Sequence, residues 1–559
     1  MQGTRSPCRL RSGPLVAALV PWAGSGCGPE PQADPIWFEE CARERGVEFV
    51  HVRGEMRYLF PEIMGSGVAL LDADDDGHLD LYLVQSGDLS GPSPAGANRL
   101  YRNQGGGVFE DVSAGSGAGD RGYGMGVACG DADQDGDTDL YVTNVGPNAL
   151  LRNEGGMRFR DATASSGTGD PSWGTSAAFF DPDQDGDLDL YLVNYVNWAA
   201  HLEIECSTAL GRDYCSPNNY DSPAPDVLYE NRGDGTFADV SRASGITSAL
   251  GNGLGISIGD FDLDGWSDAY VANDQMPNQL WRNLGGLVFE DVALLAGCAV
   301  NGSGESEAGM GTVAADADQD GDLDVFITHL REEMNTLFVN EGGTFRDGTA
   351  AAGLGAPSLR YTGFGTGLHD FDHDGWLDVY VANGAVTRNR PAFDPADPYA
   401  EPNLLFRGLG PGRFAEVVPQ GGTRTSVLGN SRGAAFGDLD DDGDVDVVVV
   451  ENAGPVHVFE NLRGARGHWI ELRVRERSGA DALGALVRLE QGTAVHWRPV
   501  HPAMSYGSSN DPRVHFGLGA ATLDARVLVR FNDGAEEGFG PLAVDRIHEL
   551  RRGHGSPPR

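Results

Sequence analysis

The chain of 559 residues carries 83 Asp and Glu against 40 Lys and Arg, a formal net charge of -43. With no basic stripe to meet phosphates, nucleic acid and anionic membrane surfaces are excluded as partners by charge. The 81 Gly are about twice the ordinary share of ~7% and follow no collagen-like period, which suits an all-β chain with many tight turns.

Residues 1–27 read as an export signal. Arg5, Arg9 and Arg11 precede the apolar run Leu15-Val16-Ala17-Ala18-Leu19-Val20, and small residues from Ala23 to Gly26 lead into Cys27. The run is too short to cross a bilayer. It resembles a lipoprotein cleavage site with Cys27 as the acylated first residue. Gly24 stands where Leu is usual, so lipid anchoring and simple secretion both remain open. An anchor on Cys27 is the one expected route to a membrane. The Pro-rich stretch 28–36 reads as a tether.

From there the pattern D-x-D-x-D-G-x-x-D occurs seven times. The first copy sets Asp72, Asp74, Asp76 and Asp80 at positions 1, 3, 5 and 9, with His78 at position 7. The second has Asp131, Asp133, Asp135 and Asp139 with Asp137, and the third Asp181, Asp183, Asp185 and Asp189 with Asp187. The fourth has Asp260, Asp262, Asp264 and Asp268 with Trp266, and the fifth Asp316, Asp318, Asp320 and Asp324 with Asp322. The sixth has Asp370, Asp372, Asp374 and Asp378 with Trp376, and the seventh Asp438, Asp440, Asp442 and Asp446 with Asp444.

Carboxylates at alternate residues of a curling loop supply hard oxygen ligands for Ca2+, about seven ions in all, and position 6 is always the Gly of the sharp turn. A position 7 that accepts His, Asp and Trp contributes its backbone carbonyl. An EF-hand is rejected because position 12 is Leu83, Val142, Leu192, Val271, Ile327, Val381 and Val449 instead of Glu. The flanks are short β-type runs without a helical period. Ligand positions account for 28 of the 83 acids, and seven divalent ions would bring the charge to about -29.

Each unit also holds a small-residue strand before the loop, a strand after it, a run ending in Arg-Asn and Gly, and a Phe-x-acidic segment. Four strands per unit is the pattern of a propeller blade. The Phe-led segments begin at Phe38, Phe109, Phe159, Phe237, Phe289, Phe345 and Phe414. Because Phe38 precedes the first loop, its strand is expected to complete the last blade, beside Val456-His457-Val458-Phe459-Glu460-Asn461, and so close the ring. A seven-bladed propeller over 37–464 follows. Two units carry insertions, about Trp198 to Asp226 and about Ala385 to Pro402; these are the candidate partner surfaces. Cys206 and Cys215, both in the first insertion, are the expected disulfide, and Cys129 reads as a packed small hydrophobe.

The repeat stops at about Gly464. Residues 465–552 show alternating strands and the turn Asn532-Asp533-Gly534, a separate small β domain. The tail 553–559 reads as disordered.

The repeats resemble FG-GAP/VCBS repeats of the integrin-α type. The C-terminal part resembles an ASPIC/UnbV domain through Leu483-Gly484-Ala485-Leu486-Val487, Ser505-Tyr506-Gly507-Ser508-Ser509-Asn510 and Val514-His515-Phe516-Gly517-Leu518-Gly519. Together they look like a bacterial relative of the cartilage acidic protein family. That resemblance implies an extracellular calcium-dependent scaffold.

Enzyme motifs do not survive their context. Gly255-Ile256-Ser257-Ile258-Gly259 matches G-x-S-x-G but leads straight into Asp260, in the slot of a blade strand. His496, His501 and His515 are expected to be satisfied or exposed. The expected function is a non-catalytic scaffold for adhesion or assembly, exported and holding an extracellular protein or glycan. The alternative is a polysaccharide lyase or hydrolase, or a lectin, on the same ring.

Overall fold

The computed structural model describes residues 36–89, 96–388, 391–464, 467–522 and 524–558. The export signal, Cys27 and nearly all of the tether lie outside them.

Seven four-stranded antiparallel sheets form the repeat region. Their inner strands are Val68–Leu71, Gly124–Gly130, Gly174–Phe180, Gly253–Gly259, Thr312–Ala315, Gly363–His369 and Ser431–Gly437. Each touches the inner strand of the next blade, and Ser431–Gly437 touches Val68–Leu71, so the ring is closed. Small residues are required where seven strands converge: a Cβ on Gly126 would stand 2.3 Å from Thr175 O. The G-x-S-x-G segment is the inner strand of blade 4, with Ser257 buried.

The Phe-led segments are the outer strands. Phe38–Glu40 pairs antiparallel with Val456–Asn461, Phe38 opposite Asn461, and completes blade 7 with the N-terminal end of the chain. Sealing the ring in this way leaves no open edge between first and last blades.

Because the acidic loops join first to second strands, the insertions, which join second to third strands, emerge at the opposite face. The two insertions meet there. Arg388 N donates to Asp213 Oδ2 at 3.1 Å, and the Tyr399 hydroxyl donates to Asp213 Oδ1 at 2.8 Å. Cys206 and Cys215 form the disulfide, and Cys41, Cys129 and Cys298 are buried free thiols.

The C-terminal region is two sheets around one core. One has Val514–Gly519, His468–Arg475 and Ile547–Arg551; the other has Ala494–Pro499, Leu486–Gln491, Ala525–Arg530 and Glu536–Leu542. It is not separate from the ring, as its composition suggested. One continuous apolar cluster joins Val487, Leu489 and Phe516 to Leu190 and Tyr229 of blade 3.

The segment 503–510 enters the ring and plugs its axis. Ser505 exchanges backbone hydrogen bonds with Thr312, and Ser509 bonds to both Val68 and Leu70. Val127 N donates to Gly507 O at 3.0 Å, and Phe436 N donates to Asn510 Oδ1 at 3.0 Å. Gly507 N donates to Ser176 Oγ, and Thr366 N donates to Ser505 Oγ. These bonds reach six of the seven blades, and Ala503 belongs to the apolar cluster that holds Ile256 and Ile258 of blade 4. The inner strands have backbone groups that no further strand can satisfy, and the plug supplies partners for them.

Two expectations are corrected. Through Ser556 the tail is held: Gly538 and Ser556 exchange backbone hydrogen bonds, and Gly553 N donates to Glu537. His496, His501 and His515 are buried; His501 Nδ1 accepts from Ala503 N at 3.0 Å, whereas neither ring nitrogen of His515 has a hydrogen-bond partner. His515 is drawn in by the domain docking onto the ring, where its ring lies 4.9 Å from that of His373, an event that no local pattern encodes.

Candidate metal loops

Each acidic loop is a backbone curl held by its own carboxylates. Asp72 Oδ1 accepts from Asp76 N at 3.0 Å and Oδ2 from Gly77 N at 3.1 Å, and Asp76 Oδ1 accepts from His78 N at 3.1 Å. The last bond, from position 7 to position 5, recurs in all seven loops. Position 6 is left-handed Gly throughout, and so is position 4, although it carries Asp75, Gln134, Gln184, Leu263, Gln319, His373 and Asp441. Seven residues with side chains in that conformation show how strongly the loop overrides local preference.

The curl gathers the carboxylates. Oxygens of Asp72, Asp74 and Asp80 lie within 4.8 Å of one another, as do those of Asp131, Asp133 and Asp139. In the next three loops the grouped residues are Asp181, Asp183 and Asp185, then Asp260, Asp262 and Asp264, then Asp316, Asp318 and Asp320. Buried carboxylate oxygens of Asp74, Asp181, Asp260, Asp316, Asp318 and Asp372 have no hydrogen-bond partner. An all-oxygen, all-anionic donor set with orphaned oxygens fits a hard divalent cation, whose charge would offset the crowding.

Position 9 works differently from the others. Asp80 Oδ2 accepts from Ala73 N at 2.9 Å and Oδ1 from Asn103 N at 2.8 Å, so it ties the loop to the end of the third strand. Burial pushes Asp80, Asp139, Asp268 and Asp324 up to about 8, and Asp189 to about 9. Position 7 side chains point away to neighbours: His78 Nδ1 lies 2.6 Å from Asp441 Oδ2 in the adjacent loop.

The Asn that ends the third strand in six blades, preceded by Arg in three of them, has a role that its sequence only hinted at. Arg102 reaches Asp74 at 2.6 Å and Asp76 at 3.1 Å; Arg152 reaches Asp133 at 2.8 Å. The Asn side chain crosses to the preceding blade. Asn103 Nδ2 donates to Leu439 O, Asn153 to Ala73 O, Asn231 to Ala132 O, Asn283 to Pro182 O, Asn340 to Phe261 O and Asn461 to Phe371 O, all between 2.7 and 3.0 Å. Blade 6 has Gly408 at this place, and Gly412 N takes the equivalent carbonyl, Ala317 O, at 3.1 Å. The recurrence of Arg-Asn in the sequence was the available signal.

The C-terminal domain sits on this face, with arginines on the loops. Arg473 Nη1 lies 2.6 Å from Asp72 Oδ2, Arg530 Nη2 3.0 Å from Asp260 Oδ2, and Arg513 Nη1 3.1 Å from Asp441 Oδ1.

Comparison with known proteins agrees with this architecture. FG-GAP-like repeats match over 72–142, 131–192, 213–271, 260–327, 316–381 and 370–449, every span but the third running from one acidic loop past the next. ASPIC and UnbV matches 475–557. Cartilage acidic protein 1 of Homo sapiens is 29% identical over 343 residues, covering 57% of this chain and 48% of its own; that of Xenopus tropicalis is 29% identical over 302 residues, covering 52% and 43%. The chain thus spans about half the length of these relatives or less. A solved structure described as YCF48 bound to D1 peptide aligns over 73% of this chain and 97% of its own, at 9% identity and a TM-score of 0.39. With its repeats matched across most of the ring and the second domain matched at the C-terminal end, the chain belongs to the FG-GAP-like repeat family and carries an ASPIC and UnbV domain.

Proposed function

We propose that this chain is an exported, calcium-stabilised, non-catalytic scaffold whose insertion face holds an extracellular protein or glycan. The observation that carries the reading is the sevenfold repetition of the acidic loop, five copies of which contain buried carboxylate oxygens without a hydrogen-bond partner. A cation in each loop would bind the first and second strands of every blade, a structural use of the metal. Charge density favours this over an ion-free loop, since carboxylates within 4.8 Å repel strongly when buried. The likeness to a protein named for cartilage, a matrix-rich tissue, supports the extracellular setting.

Metal analysis of the purified protein after dialysis against calcium tests the reading. Retention of about seven calcium ions per chain is expected; retention of none would reject it. Turnover of polyuronates, which the scaffold reading excludes, would establish the lyase or hydrolase alternative instead.

A further inference from the structure

The left-handed backbone at position 4 of the acidic loops has a consequence at the loop junctions. Gln134, Gln184 and Gln319 have φ of 60°, 61° and 63°, a region that a residue with a side chain seldom enters. There each side-chain amide reaches the loop of the following blade. Gln134 Nε2 donates to Gly186 O at 2.8 Å, Gln184 Nε2 to Gly265 O at 2.7 Å and Gln319 Nε2 to Gly375 O at 2.6 Å. The acceptor is the position 6 carbonyl in all three.

The accepting peptide is the one whose N–H orients a carboxylate. Asp187 N donates to Asp185 Oδ1 at 2.9 Å, Trp266 N to Asp264 Oδ1 at 2.9 Å and Trp376 N to Asp374 Oδ1 at 3.1 Å. Each Gln itself stands between two carboxylates of its own loop, Gln184 between Asp183 and Asp185. A continuous path therefore runs from loop 3 through the Gln184 amide and the Gly265–Trp266 peptide to Asp264 of loop 4. Both loops hold a buried carboxylate oxygen without a partner, on Asp181 and on Asp260. The path does not run round the whole ring. Position 4 of loop 4 is Leu263, which has no donor. Asp75 of loop 1 is held by Arg475 at 2.5 Å, and His373 of loop 6 comes only within 3.6 Å of Asp444, with neither ring nitrogen hydrogen-bonded. Glutamine thus joins loops 2, 3 and 4 into one group and loops 5 and 6 into another.

A cation that draws Asp183 and Asp185 together fixes the backbone of Gln184 between them, and with it the amide that holds the peptide of the next loop. A second cation then meets a loop already ordered and loses less conformational freedom on binding. Linkage makes the effect mutual. We infer that Gln134, Gln184 and Gln319 are positioning residues that couple cation binding between adjacent loops, so that loops 2, 3 and 4 fill cooperatively. The inference rests on the reading of the loops as calcium sites and adds how those sites communicate.

Trp266, at position 7 of loop 4, provides a local reporter. The test is calcium titration of the metal-stripped full chain, followed by calorimetry and by the part of the fluorescence that Trp266→Phe removes. Asp183→Asn, which takes a carboxylate from loop 3 alone, should raise the calcium midpoint of loop 4 at least about threefold, the scale of one neutral hydrogen bond. Gln184→Met, of similar length but without a donor, should raise that midpoint by itself, and Asp183→Asn should then raise it no further. Asp318→Asn in loop 5, the neighbour that no glutamine joins to loop 4, should leave the midpoint in place. The inference is overturned if Asp183→Asn does not move loop 4, if Asp318→Asn moves it equally, or if the dependence on loop 3 survives Gln184→Met. Should Asp183→Asn fail to fold, Gln184→Met decides alone, through the loop 4 midpoint and a lower Hill coefficient in calorimetry. Calcium bound without this coupling rejects only the inference; no calcium bound by any loop rejects the calcium reading itself.

Discussion

Asn103 Nδ2 donates to Leu439 O at 2.8 Å, so a residue of blade 1 holds the acidic loop of blade 7 across the ring seam. The backbone N–H of Asn103 binds Asp80 of its own loop at 2.8 Å, so one residue joins two loops. Removing its side chain leaves the carbonyls of Leu439 and Leu79 buried and unpaired. Asn103→Ala should cost on the order of 2–4 kcal/mol of stability, read as a lower denaturation midpoint. The converse change in blade 6 should not help: a Cβ on Gly408 would lie 2.4 Å from Leu377 O, so Gly408→Asn is expected to destabilise as well.

Gly67 marks the closest approach of plug and ring. A Cβ there would lie 1.7 Å from Gly507 O, a backbone atom that cannot swing aside. Gly67→Ala should therefore displace the plug and cost roughly 3 kcal/mol or more. Limited proteolysis should release the C-terminal domain faster than from the parent protein. Unchanged protection would show that the plug does not anchor the domain.

The closing strand carries a pH-dependent contact. His457 lies 2.7 Å from Glu451 and 3.5 Å from Glu40, the latter on the strand Phe38–Glu40. Burial alone would lower its pKa, but hydrogen bonds to Glu40 and Glu451 outweigh burial and raise it to about 9. A folded pKa raised above the ordinary 6.5 means that the contribution is complete below about pH 6.5 and is lost as pH rises through about 9. It is worth about 2–3 kcal/mol. Melting midpoints of the parent should fall between pH 6.5 and 9.5, and His457→Gln should flatten that part of the profile.

Much of the ring was legible from residues alone, because the seven loops and seven Phe-led segments share one period, and Phe38 had no blade to join except the last. The Asn latches were half visible, as a repeated Arg-Asn whose cross-blade partner is a main-chain carbonyl with no sequence signature. Left-handed backbone at position 4 was hidden because Leu263 and Gln134 carry no preference for it. The plug was recognisable only as the motif Ser505 to Asn510. Its task depends on the open backbone groups of inner strands that lie hundreds of residues away. Burial of His515 likewise arises from docking, and the holding of Ser556 from pairing with Gly538 inside the C-terminal domain, neither of which local pattern records.

Calcium dependence of the fold tests the central claim most directly. If the acidic loops hold cations that clamp each blade, metal-stripped protein in EDTA should melt far below the calcium-loaded form, and added calcium should restore the midpoint. Equal melting midpoints for metal-stripped protein in EDTA and in calcium would contradict the account.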